Sequence, residues 1–264
     1  MLNENMHDKE YESSSTQEKI HRHTISFLMS DGDNIQWIMG PWSTSKSWYG
    51  NKNRGKVPMG WTLSPALVDL APALVSRIHS IQTDNDEFVA GPSGYGYIYP
   101  STWPVSNRSS FARRTNRAMN TLGMRTVNLL GQNDDPPVCE EIQDFFDTST
   151  PGLIYYPFGD GYAALKGQIW TCSDKPVLSA RWSLWGTSND TTKDMVGVHA
   201  MIEKLQGISN QTDPSSHESY SLIAVHAWSH TYDDVIQIAS ALDDEKFEVI
   251  LPSEMLARLK LFVL

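Results

Sequence analysis

Two aspartates lie two positions apart in the segment Ser-Asp-Gly-Asp-Asn at positions 30–34, directly after a short apolar run. Two carboxylates held this close repel each other when both are ionised, and the repulsion raises the pKa of one of them. Cleavage of a glycosidic bond needs one protonated and one ionised carboxyl group, whose separation decides between retention and inversion. We therefore predict Asp31 and Asp33 as catalytic residues, with Asp160 as a third carboxylate that acts as base or nucleophile.

These acids also have structural interpretations. Asp33 is suited to cap a following helical turn, and Asp31 is suited to accept hydrogen bonds within a loop. Glu254 is a further candidate base, but it follows Pro252 and Ser253, where a helix is predicted to begin and its dipole would stabilise a negative charge. The sequence leaves both catalytic and structural roles open for the two aspartates.

A metal site is another interpretation of the same acids. Asp31, Asp33 and His226 loosely resemble the ligands of metal-dependent polysaccharide deacetylases, which also have a distorted barrel. Zinc in such a site needs a pair of histidines at helical spacing. His226 and His230 are four residues apart, but His226 is predicted to end a strand. No metal and no cofactor are predicted, and a deacetylase remains an alternative function.

Three tyrosines alternate with other residues in Gly-Tyr-Gly-Tyr-Ile-Tyr-Pro at positions 94–100, just after the apolar run 88–90. The glycines permit backbone conformations that other residues avoid, and the proline ends the strand ladder. Tyrosines offer flat apolar faces with a hydroxyl group at the rim. The segment is typical of a strand that opens into a loop binding a rigid amphipathic ligand such as a sugar. A tyrosine-rich turn packed on its own domain is the alternative.

Other aromatic and polar residues are predicted to join the sugar site. The chain has 9 Trp and 10 Tyr, and several tryptophans lie beside Gly, Pro or Ser, where loops are expected. Aromatic faces are frequent in ligand pockets. A histidine and a tryptophan directly follow one apolar strand, and one arginine is suited to pair with a carboxylate. The predicted substrate-binding residues are Tyr95, Tyr97, Tyr99, Trp61, Trp103, Trp228, His226 and Arg181.

Short β-branched or aromatic runs alternate with longer segments at helical spacing, which predicts an α/β fold. The predicted strands are 24–29, 57–61, 87–90, 125–130, 153–156, 176–181, 221–226 and 247–250. The predicted helices are 65–80, 109–122, 137–146, 192–205, 232–242 and 253–261. Seven or eight strand–helix units favour a single (β/α) barrel, regular or irregular, over an open doubly wound sheet. This domain is predicted over residues 24–264, after a polar, disordered leader at 1–23.

The polar residues fall where the predicted strands end. In a parallel barrel, functional sites lie at the carboxyl ends of the strands. The acids follow the first strand, the tyrosine segment follows the third, and His226 and Trp228 follow the seventh, so we expect all of them to face one hollow. Turn formation by Asp, Asn and Gly is the alternative explanation, and it accounts well for the residues at 133–135.

The tyrosine segment resembles the fixed string of the GxGYxYP family of putative glycoside hydrolases. The fixed positions are filled by Gly94, Gly96, Tyr97, Tyr99 and Pro100. The segments 30–34 and Gly-Trp-Thr-Leu-Ser-Pro at 60–65 are similar to the surrounding pattern, and the resemblance runs from about residue 25 to the C-terminus. It implies a barrel-like catalytic domain that hydrolyses an oligo- or polysaccharide. A non-catalytic carbohydrate-binding barrel is the alternative. Family members are expected to carry further N-terminal sequence.

The amino-acid composition argues against some classes of binding partner. The formal net charge is −10, which argues against nucleic acid or an anionic membrane, because phosphate binding needs clustered Lys and Arg. No apolar run approaches the length of a membrane span, and the leader has no apolar signal-peptide core. Cys139 and Cys172 form one disulfide or none, so they do not fix the compartment. Secretion stays open if an upstream segment is missing, and the oligomeric state stays open as well.

Overall fold

The protein is described by a computed structural model at residues 22–132, 134–146, 150–158, 160–208 and 213–264. For Asp160 the description covers the backbone only. The predicted leader lies outside the described residues as far as residue 21. The first strand begins at His23, one residue earlier than predicted.

One sheet contains every strand of the described part of the chain. Its strands are β1 (His23–Met29), β2 (Met59–Leu63), β3 (Asp86–Ala90), β4 (Thr126–Gly131), β5 (Leu153–Pro157), β6 (Ile169–Cys172), β7 (Lys175–Ser179), β8 (Trp182–Leu184), β9 (Met195–Val196), β10 (Tyr220–Val225) and β11 (Phe247–Val249). They follow the order β6-β7-β5-β4-β3-β2-β1-β10-β8-β9, with β11 paired to β1. All neighbouring strands are parallel except β6 and β7.

Helices connect most of the strands. They are α1 (Ile35–Trp37), followed directly by a π-helical turn (Ile38–Trp42), then α2 (Leu67–Leu70), α3 (Pro72–Ser80), α4 (Val105–Leu122), α5 (Cys139–Ile142), α6 (Val198–Gln206), α7 (Tyr232–Ser240) and α8 (Pro252–Phe262). Short 3-10 turns lie at Gln143–Phe145, Asp160–Tyr162 and His217–Ser219. The end of α4 is set by Gly123, which adopts the left-handed conformation that glycine tolerates best.

The sheet is curled, as the short covalent link between β7 and β8 requires. Strand β7 pairs with β5 and strand β8 pairs with β10, yet only two residues separate β7 from β8. Seven strand spacings in a flat sheet would place β7 and β8 about 34 Å apart, whereas three Cα steps allow at most about 11 Å. The two ends of the strand order must therefore approach each other.

This geometry gives a mixed α/β fold with a curled half-barrel sheet. The prediction of a closed barrel with seven or eight strands is met only in part, because the described strands form no continuous closed ladder. Strands β1 to β5 lie side by side in chain order. A doubly wound sheet would instead reverse direction at a switch point.

The concave side of the curl has its own apolar core. Alternate strand residues such as Leu28, Val89 and Leu222 are buried there, together with Met255 and Leu256 of α8. Helix α8 contacts both β1 and β7. The buried carboxylate of Glu87 accepts a hydrogen bond (2.8 Å) from a backbone N–H in the first turn of α8. Helix α8 therefore fills the curl near the amino ends of its strands and leaves the carboxyl ends for a site.

Several local features differ from the prediction. The strand predicted over 176–181 corresponds to β7, which ends at Ser179, and β6, β8 and β9 were not predicted. The helix predicted over 65–80 breaks at Ala71, just before Pro72. The segment between β1 and β2, where no element was predicted, contains α1 and the π-helical turn. Among the described residues, no helix combines the length and apolar character that crossing a membrane requires.

The two cysteines form a disulfide, a point that the sequence left open. Cys139 begins α5 and Cys172 ends β6, and their Cα atoms are 5.5 Å apart. A bond of this kind stabilises chiefly by restricting the unfolded chain. It fastens the antiparallel pair β6–β7, which lies at the end of the strand order, to the helix that follows β4.

Candidate functional site

The acidic turn after β1 has a backbone that few sequences could adopt. Asp31 has a φ of 68°, in the left-handed region that aspartate tolerates better than most residues. A Cβ on Gly32 would overlap the carbonyl group of Thr62 at the end of β2, so this position requires glycine. The Thr62 hydroxyl accepts a hydrogen bond from the Gly32 N–H (2.9 Å) and donates one to the Met29 carbonyl (2.7 Å). The ends of β1 and β2 thus hold the two aspartates in place.

Asp31 uses both carboxylate oxygens as acceptors. The hydroxyl of Ser30 donates to one oxygen, and the indole N–H of Trp228 donates to the other (2.9 Å). The same serine oxygen accepts a hydrogen bond from the Ala227 N–H (3.2 Å). These contacts join the end of β1 to the loop after β10, and they suit an ionised carboxylate.

Asp33 is the neighbouring acid with a perturbed proton affinity. Burial and, to a smaller extent, the negative charge of Asp31 together raise its pKa from 3.8 to about 6, against the opposing effect of its own backbone N–H. The cap of α1 is Asn34, whose side-chain oxygen accepts from the Trp37 N–H (3.2 Å). The alternative role of Asp33 as helix cap is therefore wrong, and its carboxyl group is available for another purpose.

Two of the three tyrosines after β3 lie within electrostatic reach of these acids. The hydroxyl groups of Tyr97 and Tyr99 are 3.0 Å apart, and the rings meet edge to face at 5.8 Å. Burial raises the pKa of Tyr97, and so do the hydrogen bond to Tyr99 and the charges of Asp33 and Asp31. Tyr99 meets Phe158, at the end of β5, edge to face at 6.1 Å.

A second set of rings continues around the acids. Tyr162 stacks on the buried Tyr156 (4.9 Å between ring centroids) and contacts Trp185 at 5.5 Å. Trp185 stacks face to face on His226 at 3.6 Å. Burial raises the pKa of Tyr162, as do the charges of Asp31 and Asp33. Tyr162 therefore lies near the same carboxyl groups, and Trp185 and His226 extend this row of rings.

We call this set of rings the aromatic collar. All of its members follow carboxyl ends of strands β3, β5, β8 and β10. Its residues are Tyr97, Tyr99, Phe158, Tyr162, Trp185, His226 and Trp228. The structure thus brings the predicted Asp31, Asp33, Tyr97, Tyr99, His226 and Trp228 together. The sequence did not predict Phe158, Tyr162 and Trp185 as site residues, although the first two come soon after the strand predicted over 153–156.

Tyr95 and Trp103, two of the predicted sugar-binding residues, lie outside the collar. The Tyr95 hydroxyl donates to Asp69 of α2 and accepts from Arg114 of α4 (2.9 Å), whose guanidinium group lies over the tyrosine ring. Trp103 packs on Phe111 of α4 at 5.4 Å. Both side chains therefore contact helices α2 and α4 and not the two aspartates.

Trp61 and Arg181 also lie elsewhere. Trp61 has no exposed surface and belongs to the core between the sheet and the helices, so its prediction as a sugar-binding residue is wrong. Arg181 donates to the carbonyl (2.9 Å) and the carboxylate (2.6 Å) of Glu218, just before β10. Six residues of β10, about 20 Å, separate that position from His226, so Arg181 is at the wrong end of the sheet.

The two remaining acids were predicted as alternatives for the second carboxylate. The Asp160 side chain lies outside the described residues. Glu254 lies in the first turn of α8 and pairs with Arg258 (2.7 Å), as its helix-start position predicted. Within the described ranges, no group of three or more His, Cys, Asp or Glu residues is placed to hold a metal ion.

The raised pKa of Asp33 predicts a pH-dependent stability effect. Because its folded pKa of about 6 exceeds 3.8, the stabilising contribution of the proton is complete below about pH 4 and is lost as the pH rises through 6. Asparagine cannot ionise and avoids this loss. We expect Asp33→Asn to be more stable than wild type at pH 8, by about 1–2 kcal/mol after allowance for solvent screening.

Urea unfolding of both proteins at pH 4 and pH 8 measures this difference. The stabilities should converge at pH 4. If the free energies of unfolding of the two proteins differed by the same amount at both pH values, Asp33 would have an ordinary proton affinity.

Comparison with known proteins relates the chain to a protein family and to solved structures. The family model of the GxGYxYP putative glycoside hydrolase C-terminal domain matches residues 21–260. A putative hydrolase from Bacteroides thetaiotaomicron VPI-5482 is similar with a TM-score of 0.76 and 26% identity, over 91% of this chain and 45% of that chain. None of the curated proteins compared with the sequence matches it.

A second solved structure shares the fold alone. A 4-alpha-glucanotransferase from Thermococcus litoralis is similar with a TM-score of 0.54 and 13% identity, over 89% of this chain and 40% of that chain. The chain therefore spans less than half the length of either solved protein.

Proposed function

The chain belongs to the GxGYxYP putative glycoside hydrolase family, and we propose that its aromatic collar binds a saccharide whose glycosidic bond Asp33 and Asp31 hydrolyse. The observation that carries this proposal is the common location of acids and rings. The charges of Asp31 and Asp33 act on both Tyr97 and Tyr162, although these residues come from three separate loops. Aromatic faces beside a few convergent polar groups are typical of small-ligand sites.

The two acids differ in the way that glycoside hydrolysis requires. With a pKa raised to about 6, Asp33 keeps its proton at mildly acidic pH and serves as the general acid. It gives that proton to the glycosidic oxygen as the bond between this oxygen and the anomeric carbon breaks. Asp31, whose two oxygens each accept a hydrogen bond, is the second carboxylate. It either takes a proton from the attacking water or forms the new bond itself.

Non-catalytic sugar binding is the second candidate function. Both oxygens of Asp31 already accept hydrogen bonds within the protein, which suits a fixed binding group as well as a reacting one. In that case the collar and acids hold the saccharide and release it unchanged. Product analysis separates the two functions.

The tyrosine segment supplies a matched pair of variants. Tyr97 is half-exposed within the collar, whereas Tyr95 contacts Asp69 and Arg114 outside it. We expect Tyr97→Ala to weaken binding of a neutral oligosaccharide about tenfold, or about 1.4 kcal/mol, since the ring offers the sugar a flat apolar face. Tyr95→Ala should leave the affinity unchanged. Titration calorimetry with maltohexaose, cellohexaose, xylohexaose, mannohexaose and chitohexaose tests this difference.

Chromatography of the same mixtures after long incubation shows whether shorter products form. Equal loss of affinity in the Tyr95 and Tyr97 variants would remove the collar from the proposal. The absence of binding by the wild-type protein to every oligosaccharide would overturn the proposed function as a whole.

A further inference from the structure

The backbone N–H and carbonyl of Gly186, in the loop after β8, both form hydrogen bonds with the loop after β10. The N–H of Gly186 donates to the hydroxyl oxygen of Ser229 (3.1 Å). The carbonyl of Gly186 accepts from Nε2 of His230 (2.8 Å). Trp185, directly before this glycine, is thereby held at a fixed position in the aromatic collar.

The histidine in this contact is itself held firmly. His230 is buried, and its Nδ1 faces the carboxylate of Asp234 at 3.3 Å. Asp234 in turn accepts from the N–H of Thr231 (2.7 Å), as part of the capping box of α7. The beginning of α7 therefore holds both loops in place. His226, in the loop after β10, contacts Trp185 in the loop after β8.

His226 makes two contacts that fix its ring. The ring lies face to face on Trp185, with 3.6 Å between centroids and 5° between planes. Its Nδ1 is 2.8 Å from the hydroxyl oxygen of Ser229. Because this oxygen already accepts from Gly186, the hydroxyl proton of Ser229 is free to point at Nδ1. In that arrangement the Ser229 hydroxyl donates to Nδ1, and the imidazole proton lies on Nε2.

Nε2 of His226 is the ring nitrogen that is available to a ligand. Within the described part of the chain, Nε2 of His226 has no hydrogen-bond partner. Burial lowers the pKa of His226, against the opposing charge of Asp31, so the ring is neutral at pH 7. Two residues later, Trp228 donates to Asp31. A neutral N–H donor therefore lies beside the acid pair.

We propose that His226 is a specificity-determining residue, locked in the Nε2–H tautomer by Ser229 and Trp185, which donates a hydrogen bond to an uncharged acceptor oxygen of the saccharide. The proposal rests on the proposed function for its ligand, but the tautomer is a property of the free protein. A neutral donor beside two carboxyl groups favours hydroxyl or ring oxygens over carboxylate or sulfate groups, which the acids would repel. The collar is thus suited to neutral sugars.

The tautomer is measured without any saccharide. Nitrogen-15 NMR of histidine-labelled protein distinguishes Nε2–H, Nδ1–H and doubly protonated rings, and the spectrum of His226→Phe identifies the signals of His226. At pH 7 we expect a neutral ring protonated on Nε2. In Ser229→Ala, which removes the Nδ1 partner, both tautomers should be populated. An Nδ1–H or doubly protonated ring in the wild-type protein would overturn the inference.

Ligand binding supplies the second part of the test. His226→Phe keeps a flat ring against Trp185 but removes the donor, so affinity for the neutral hexasaccharide that binds wild type should fall about tenfold. His199→Phe, the same change on the exposed side of α6, should bind normally. Unchanged affinity in His226→Phe would overturn the role of His226 in recognition. Failure of wild type to bind any oligosaccharide would contradict the proposed function, while the NMR result would still decide the tautomer.

Discussion

Asp33→Asn is expected to lower kcat on a hydrolysed oligosaccharide by a factor of about 10²–10⁴, the usual contribution of a positioned general acid. The amide keeps the size of the side chain but has no proton of suitable acidity for the glycosidic oxygen. Affinity for the substrate should remain within about threefold of wild type, because the collar is unchanged. Steady-state kinetics and calorimetry on the same oligosaccharide give both quantities.

The pH profile tests the same assignment. Since the pKa of Asp33 is raised to about 6, kcat/KM of the wild-type protein should fall as the pH rises above 6 and Asp33 loses its proton. An increase in kcat/KM through this range would contradict the role of Asp33 as acid. The residual activity of Asp33→Asn should not show this decline.

Asp31→Asn has a well-matched control in Asp174→Asn. Both aspartates have left-handed backbones, with φ of 68° and 58°, and asparagine tolerates this conformation equally well. Asp174 is exposed in the turn between β6 and β7, away from the collar. Asp31→Asn should lose hydrolysis while Asp174→Asn keeps it. Equal activity of both variants on the same substrate would exclude Asp31 from the chemistry.

Trp61→Ala is expected to destabilise the protein by about 3–5 kcal/mol, as truncation of a buried aromatic residue usually does. The ring is completely buried and packs edge to face on Trp42 (6.0 Å) and Tyr49 (5.5 Å). Its indole N–H also donates to Asp86 (2.9 Å), which would lose this partner. Urea unfolding followed by circular dichroism measures the change.

Trp228→Ala is the control for this substitution. Trp228 is 48% exposed and packs on Trp37 (4.9 Å), so its removal should cost less stability than that of the fully buried Trp61 but weaken oligosaccharide binding. Trp61→Ala should lose more stability but bind the oligosaccharide normally at temperatures where it remains folded. If Trp61→Ala were as stable as wild type, the packing described for the core would be incorrect.

The sequence predicted the strands well where apolar runs are continuous and buried on both faces, as in β1 and β10. It did not predict β9, which has two residues, or β8, which begins two residues after β7 ends. Strand β8 forms because the chain changes its pairing partner there, from β5 to β10. Such long-range pairing leaves no local pattern in the sequence.

The site was predictable in its acids and only partly in its rings. Strand ends located Asp31, Asp33 and Trp228, because polar residues after an apolar strand meet at one edge of a parallel sheet. Side-chain direction was the missing information. Trp61 lies in a strand whose residues are all buried, so no alternation indicates which face its side chain occupies.

A crystal structure of Asp33→Asn with the oligosaccharide that the wild-type protein hydrolyses would test the central claim most directly. We predict a sugar ring between Trp228 and Tyr97, with a sugar oxygen about 3 Å from the Asp31 carboxylate. Saccharide bound elsewhere, such as beside Arg181 at the amino ends of the strands, with both acids out of contact, would contradict the account.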